Sequence, residues 1–218
     1  MTYSRENPSP RYRELLGFYQ QMHAEGDAAH EIPADEMFDG RNLIPHAMFL
    51  NELFRKMGIR TVLDYGSGKG MAYTRTAFKL PDGSQVQGVK AYWGVDEIVL
   101  YDPGNDPDAV LPDRVFDAVI CTDVMEHIPE QDLDWVIDEL FTHARRLVFA
   151  SISTWPALKL FPDGTNVHVT LKDVDWWRQR FFARKAATGS TAEFALFVYK
   201  SAKDPEPVLL TSRDKPAA

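Results

Sequence analysis

The chain has 218 residues, a formal net charge of -8, and 44% hydrophobic and 26% charged residues. This length suits one domain with a sizeable core and is short for two, and the composition is that of a globular protein. The acidic balance argues against a broad basic surface for nucleic acid or acidic lipid, so we expect neither a nucleic-acid nor a membrane partner.

Cysteine content and the N-terminal segment both bear on the compartment. The single cysteine, Cys121, excludes an internal disulfide framework and suits a reducing environment. The first sixteen residues lack the apolar core of a signal peptide, and no stretch approaches the ~18 apolar residues of a membrane span. The sequence therefore predicts a cytoplasmic protein, and it leaves the oligomeric state open.

The first fifty residues predict an arm followed by a helical cap. Residues 1–10 contain two prolines and few apolar groups. Apolar residues at helical spacing then predict a helix over residues 12–22. The helical period returns over residues 44–58, where Pro45 suits a first turn and Gly58 suits the end. We expect residues 1–50 to precede a main domain at residues 51–200.

The main domain alternates between apolar runs and helical patterns. Strands are predicted at residues 60–65, 97–102, 116–123, 145–153 and 193–200, and helices at residues 71–80, 133–141 and 171–185. Continuous apolar strands that alternate with helices indicate an α/β fold with a parallel sheet covered on both faces. The composition of residues 201–218 predicts a disordered tail.

The stretch "VLDYGSGKG", residues 62–70, places a glycine turn directly after a buried strand. Ligands of open α/β sheets bind beyond the carboxyl ends of the strands. A P-loop needs a longer interval between its first glycine and Gly-Lys-Ser/Thr, and Met71 stands where a dinucleotide fingerprint needs a glycine, so both interpretations fail. What remains is Asp64 followed by three alternating glycines. An acid in the turn repels a pyrophosphate and favours a cationic amino group.

Three motifs, "VLDYGSGKG", "IVLYDPG" and "FDAVICTDVMEHIP", resemble those of class I S-adenosylmethionine-dependent methyltransferases, over roughly residues 51–200. The resemblance implies a Rossmann-like, mostly parallel sheet of seven strands with helices on both faces, and S-adenosyl-L-methionine as the cofactor. It implies that the cofactor lies against Asp64, Gly66, Ser67, Gly68, Gly70, Asp102 and Asp123.

The resemblance gives Asp102 the ribose hydroxyls, because a carboxylate accepts two hydrogen bonds from a vicinal diol. The interval from Gly70 to Asp102 exceeds the usual ~20 residues. An insert before the second strand explains the excess. Asp96 is the competing acid, but it precedes the apolar run whereas Asp102 ends it.

A second polar cluster follows the strand at residues 116–123. Asp123, Glu126 and His127 are spaced i, i+3 and i+4, so one helical turn would bring them to the same side. Two carboxylates and an imidazole that converge on a cleft favour a divalent cation. An oxygen-rich set suits Mg²⁺ or Mn²⁺.

This spacing is similar to that of two metal-dependent branches of the family, the ubiquinone-biosynthesis O-methyltransferases and the small-RNA 2′-O-methyltransferases. The RNA enzymes add a histidine from the loop after the next strand, which corresponds to His168. The resemblance thus implies a metal set of Asp123, Glu126, His127 and His168, although Asp123 replaces the usual Glu. Without a metal, this cluster shapes the substrate pocket, and His127 or His168 becomes the general base.

The cluster also indicates the reaction. A hydroxyl acceptor needs its proton removed or its pKa lowered, and carboxylates with histidines beside a methyl donor suit that task. We therefore expect O-methylation of a small molecule or sugar. RNA 2′-O-methylation and a non-catalytic cofactor-binding protein are the alternatives. His46 either faces the substrate or simply begins a helix. Trp155 either stacks on a planar acceptor or packs in the core.

Overall fold

The computed structural model describes residues 2–27, 31–161, 163–203 and 206–214. The strands are β1 (Thr61–Tyr65), β2 (Ala77–Lys79), β3 (Gln85–Gln87), β4 (Glu97–Tyr101), β5 (Phe116–Thr122), β6 (Ala144–Ser153), β7 (Glu193–Tyr199) and β8 (Val208–Thr211). The α-helices are α1 (Pro10–Glu25), α2 (Ala47–Met57), α3 (Val89–Trp93), α4 (Leu133–His143) and α5 (Val174–Thr188).

The main sheet has six strands in the spatial order β4-β1-β5-β6-β7-β8. The first five are parallel, and β8 pairs antiparallel with β7. From β1 the chain proceeds to β4 on one side, and it then returns to β5 on the other side of β1. In an open α/β sheet, the crevice beyond the carboxyl ends of the strands at such a reversal is where ligands bind.

Helices cover both faces of this sheet, as predicted. Successive residues of a strand point to opposite faces. Val62 accordingly packs in a core with Phe54 of α2, whereas the next residue, Leu63, packs in a second core with Phe181 of α5. The parallel, continuously apolar strands that the sequence predicted are thus explained by burial on both sides.

The expected seven-stranded sheet is wrong, because the main sheet has six strands and β2 and β3 form a separate hairpin. The helix predicted at residues 71–80 is also wrong. A short 3-10 turn at Met71–Tyr73 is followed by β2 and a tight connection, in which Gly83 donates its N–H to the Leu80 carbonyl at 2.9 Å. The sequence "PDG" at residues 81–83 has the turn chemistry that makes a hairpin here.

The predicted disordered tail contains an ordered strand. Leu210 of β8 is opposite Leu196 of β7 and is only 2% exposed. Three consecutive apolar residues, Val208 to Leu210, supply the buried surface that the polar composition of the whole tail obscured. Residues 204, 205 and 215–218, which also belong to that predicted tail, lie outside the described residues.

Of the two helices in the predicted N-terminal cap, only α1 packs outside the cores of the main sheet. Its Leu15 and Met22 pack with Phe161 and Val167, away from the two cores of the sheet. Helix α2 instead packs on the sheet, so the boundary expected between residues 50 and 51 falls inside it. In the part of the chain that the structure describes, we find no helix with the length and apolarity to cross a bilayer.

Candidate functional site

A cavity of about 430 Å³ opens at the carboxyl edge of the sheet, where the strand order reverses. Its volume is in the range of small-molecule sites, which are typically apolar with a few placed polar groups. Helix α1 covers it with apolar and aromatic side chains. The predicted site residues that line it are Asp64, Gly66, Ser67, Gly68, Asp102, Asp123, His127 and His168.

The glycines of the turn are required by neighbouring protein atoms. Gly66 and Gly68 have φ values of 82° and 56°, and a β-carbon would overlap Val124 or the Phe38 carbonyl respectively. Gly70, at φ 59°, does not line the cavity, and a β-carbon there would meet the Leu100 side chain. Gly70 is thus the one predicted glycine of the turn outside the cavity lining, and packing against Leu100 explains why a glycine stands there.

The backbone amides of the turn are all occupied. Gly66 and Ser67 donate to the Tyr101 carbonyl at 2.7 and 3.1 Å, and Gly68 donates to Asp102 Oδ2 at 2.8 Å. The amides of residues 69 and 70 donate to carbonyls at 2.7 and 3.2 Å. A phosphate-binding loop presents free amides to its anion. This turn does not, which agrees with the failure of both phosphate motifs.

Asp64 is a buried acid with one unsatisfied oxygen. Its Oδ2 accepts a hydrogen bond from the Tyr73 hydroxyl at 2.7 Å, whereas Oδ1 is buried without a donor. Burial raises the pKa of Asp64 to about 7. A buried carboxylate oxygen without a partner is costly, so this position favours a ligand that brings a hydrogen-bond donor or a positive charge.

Asp102 follows β4 and connects two turns at the floor of the cavity. Besides the bond from Gly68, its Oδ1 accepts a hydrogen bond from the Gly104 amide at 2.8 Å. Asp96 precedes β4 at the opposite edge of the sheet, where it is exposed and paired with Arg60. The structure therefore places Asp102, and not Asp96, beside the glycine turn.

Asp123, His127 and His168 form a compact group, which we call the triad. One possible ligand atom from each lies within 4.8 Å of the others. His127 Nδ1 is 3.0 Å from the Val167 carbonyl, and His168 Nδ1 is 2.6 Å from the Trp155 carbonyl. Because a carbonyl can only accept, the contact of His168 places its proton on Nδ1 and its lone pair on Nε2, where a metal could bind. His127 Nδ1 also lies 2.7 Å from the Tyr19 hydroxyl, which can donate or accept. Donation to the Val167 carbonyl gives this ring the same tautomer, with Nε2 free for a metal.

Two further features shape the triad. Burial lowers the pKa of His127 to about 4, so this ring is neutral at pH 7. Asp123 has a φ of 59°, in the left-handed region that non-glycine residues seldom adopt, and Asn42 donates a hydrogen bond to its carboxylate. Residues held in such conformations cluster at functional sites, because the surrounding structure must compensate for the strain.

Glu126 is not one of the triad residues, although its carboxyl group lies close to that of Asp123. It is fully buried, and its Oε1 accepts a hydrogen bond from the Ser153 amide at 2.6 Å. The expected helical turn is missing, since Asp123 is left-handed and a short 3-10 turn spans only Met125–His127. The i, i+3, i+4 argument therefore fails, and the four-residue metal set is not assembled in this structure.

Other residues of the cavity have no signal in the sequence that reveals them. Tyr19 of α1 places its hydroxyl oxygen 2.7 Å from His127 Nδ1, and His23 of α1 places Nε2 3.9 Å from Asp102 Oδ1. In the sequence, Tyr19 is one apolar position of a helical period. Only long-range packing of α1 brings these side chains over the sheet edge.

The cavity thus holds two groups of polar side chains with different chemistry. Asp64 and Asp102 lie at the glycine turn, and the triad lies beyond β5. The first group suits a ligand with donors or positive charge, and the second suits a divalent cation. Comparisons of this chain with models of known protein families, with curated proteins and with solved structures each found no match.

Proposed function

We propose that this chain is an S-adenosylmethionine-dependent methyltransferase with a Rossmann-like fold, which methylates a hydroxyl of a small molecule or sugar. We further propose that the triad holds a divalent metal. One observation carries the proposal: a single cavity at the reversal of strand order is lined by Asp64, Asp102 and all three residues of the triad.

The residues at the glycine turn fit the cofactor. The unsatisfied Oδ1 of Asp64 suits the cationic amino group of its methionine part. Asp102 uses one lone pair of each oxygen for a backbone amide, which leaves acceptor capacity for the two ribose hydroxyls. Tyr19 and Phe38 supply aromatic wall for a planar base. The occupied amides of the turn argue against a pyrophosphate cofactor.

The triad fits a transition metal better than Mg²⁺. Two imidazole nitrogens and one carboxylate favour Fe²⁺ or Zn²⁺ and can also hold Mn²⁺, whereas Mg²⁺ prefers oxygen ligands. The hydrogen bonds from both Nδ1 atoms to backbone carbonyls are the outer contacts that orient metal-binding histidines. When bound, the ion would act as a Lewis acid that makes an acceptor hydroxyl more nucleophilic.

The protein's own task in the reaction is alignment. A bond forms from the acceptor oxygen to the methyl carbon as the sulfur–carbon bond breaks, the thioether leaves neutral, and the hydroxyl proton passes to solvent. Correct orientation of donor and acceptor can supply roughly 7–11 kcal/mol. The lowered pKa of His127, about 4, makes this ring a weak base at neutral pH. This favours its role as a metal ligand over that of general base.

The two alternatives have less support. RNA 2′-O-methylation would bring a polyanion to a chain with a net charge of -8. A non-catalytic cofactor-binding protein has little use for a triad whose imidazoles are individually oriented by backbone carbonyls.

Thermal-shift measurements test the proposal. S-adenosylhomocysteine should stabilise the protein by an amount that rises with the logarithm of its concentration above Kd, and NAD⁺ should not. Mn²⁺ should stabilise wild type relative to chelator, and His127→Ala should abolish that effect. His143→Ala, at the end of α4 and outside the cavity, is the matched control. A shift with NAD⁺ alone would overturn the cofactor assignment, and an equal Mn²⁺ response in both variants would overturn the metal assignment.

A further inference from the structure

A second cavity, of about 340 Å³, lies beside the first at the carboxyl ends of β5, β6 and β7. Asn42 and Asp123 line both cavities, and the two side chains are hydrogen-bonded to each other. This pair therefore stands between the two spaces. A ligand in the second cavity would reach the carboxylate of the triad from the side opposite the glycine turn.

The second cavity has an aromatic and uncharged lining apart from Asp123. Trp155 and Tyr199 line it, together with Ser151 and Ser153. Among the residues that the structure describes, no lysine or arginine lines it. Aromatic walls favour a planar ring. In the metal-free protein, Asp123 would face any carboxylate or phosphate with no cation to compensate, so the lining then disfavours anionic ligands.

His46 adds a polar group to this lining. It directly precedes α2, is only 4% exposed, and contacts the rings of Phe149 and Phe197. Its Nδ1 is buried without a hydrogen-bond partner. Any hydrogen bond between this ring and a ligand in the cavity therefore falls to Nε2.

We propose that the second cavity is the acceptor subsite, and that it takes a neutral, planar ring bearing a hydroxyl, a compound of the phenol class. This inference rests on the proposed function, because a cofactor in the first cavity leaves the second for the acceptor. Trp155 and Tyr199 would hold the ring, and His46 and Asp123 would meet its polar edge. The cavity volume admits one or two fused rings, within the range of small-molecule sites.

Fluorine NMR of para-fluorophenol, titrated into the full chain with and without S-adenosylhomocysteine, tests this inference. Trp155→Leu should weaken binding by about fivefold, the loss expected for one aromatic contact. Trp176→Leu, a partly buried tryptophan of α5 outside both cavities, should bind as wild type does. With chelator present, so that no metal occupies the triad, the anionic analogue para-fluorobenzoate should bind at least about tenfold more weakly than para-fluorophenol, because Asp123 repels it.

The outcomes separate the two proposals. If S-adenosylhomocysteine stabilises the protein but para-fluorophenol does not bind, or binds Trp155→Leu as tightly as wild type, the acceptor subsite is overturned and the cofactor assignment stands. If S-adenosylhomocysteine does not stabilise the protein, the proposed function is wrong. The titration of para-fluorophenol without S-adenosylhomocysteine then still measures whether a phenol binds in the second cavity. If circular dichroism shows that Trp155→Leu is unfolded, Tyr199→Leu provides the same measurement from the other wall of the cavity.

Discussion

Substitution of Asp102 by asparagine gives a direct test of the cofactor end of the cavity. Both oxygens of Asp102 accept backbone amides, from Gly68 at 2.8 Å and from Gly104 at 2.8 Å. An asparagine keeps one acceptor and turns its amide nitrogen toward the other backbone donor. One hydrogen bond to a charged acceptor is lost and one amide is left unsatisfied, at a cost of about 1.5–3 kcal/mol in the free energy of unfolding.

The same change should weaken cofactor binding. A carboxylate can accept both ribose hydroxyls, whereas the asparagine side chain offers a single acceptor oxygen. We expect the affinity for S-adenosylhomocysteine, measured by isothermal titration calorimetry, to fall by at least about tenfold, which corresponds to one charge-assisted hydrogen bond. Urea denaturation of the unliganded protein measures the loss of stability separately.

Asp96→Asn is the matched control. Asp96 is an exposed acid before β4 that pairs with Arg60 on the surface, and surface ion pairs contribute little. Its substitution should leave both the affinity and the free energy of unfolding near wild-type values. Equal affinities for Asp102→Asn and wild type would refute the role of Asp102, and a loss confined to Asp96→Asn would show that the wrong acid had been chosen.

Three further predictions concern the triad, the buried acid and the core. Tyr19→Phe removes the hydroxyl 2.7 Å from His127 Nδ1. In a calorimetric titration it should lower the affinity for Mn²⁺ by about tenfold, the usual effect of losing a contact that orients a metal ligand. The control Tyr92→Phe should leave that affinity unchanged. Burial raises the pKa of Asp64 from 3.8 to about 7. Between about pH 4 and pH 7 the unfolded chain therefore releases a proton that the folded protein keeps, and the free energy of unfolding falls as the pH rises. Asp64→Asn cannot titrate and so lacks this loss. In urea denaturation of the unliganded proteins, the free energy of unfolding of the variant should rise relative to that of wild type across this pH range, by up to about 4 kcal/mol. A difference that does not change with pH would contradict the raised pKa of Asp64. Trp177→Ala should lower the free energy of unfolding by about 3–5 kcal/mol, because Trp177 is fully buried between α5 and the sheet, and a loss below about 1 kcal/mol would contradict that packing.

Much of the architecture could be predicted because burial leaves a strong pattern. The strands β1 and β4 to β7 are continuous apolar runs, and each lies where the sequence predicts a strand. Asp64 and Asp102 could be placed at the same sheet edge because carboxyl ends of parallel strands meet there. These inferences need only local periodicity and the geometry of a parallel sheet.

The departures arise where local pattern and three-dimensional context differ. The hairpin of β2 and β3 replaces a predicted helix because the turn at residues 81–83 outweighs a weak helical period. Glu126 leaves the metal set because the left-handed backbone at Asp123 cancels the helical spacing. The cover that α1 provides over the cavity depends on contacts more than a hundred residues apart, such as Tyr19 with His127, which no local pattern encodes.

A crystal structure grown with S-adenosylhomocysteine and Mn²⁺ would locate both ligands in one experiment. We expect the ribose hydroxyls on Asp102, the amino group near Asp64, and an anomalous manganese peak bounded by Asp123, His127 and His168. Ligand density elsewhere, or a manganese peak that does not contact the triad, would contradict the claim that one cavity joins a methyl donor to a metal centre.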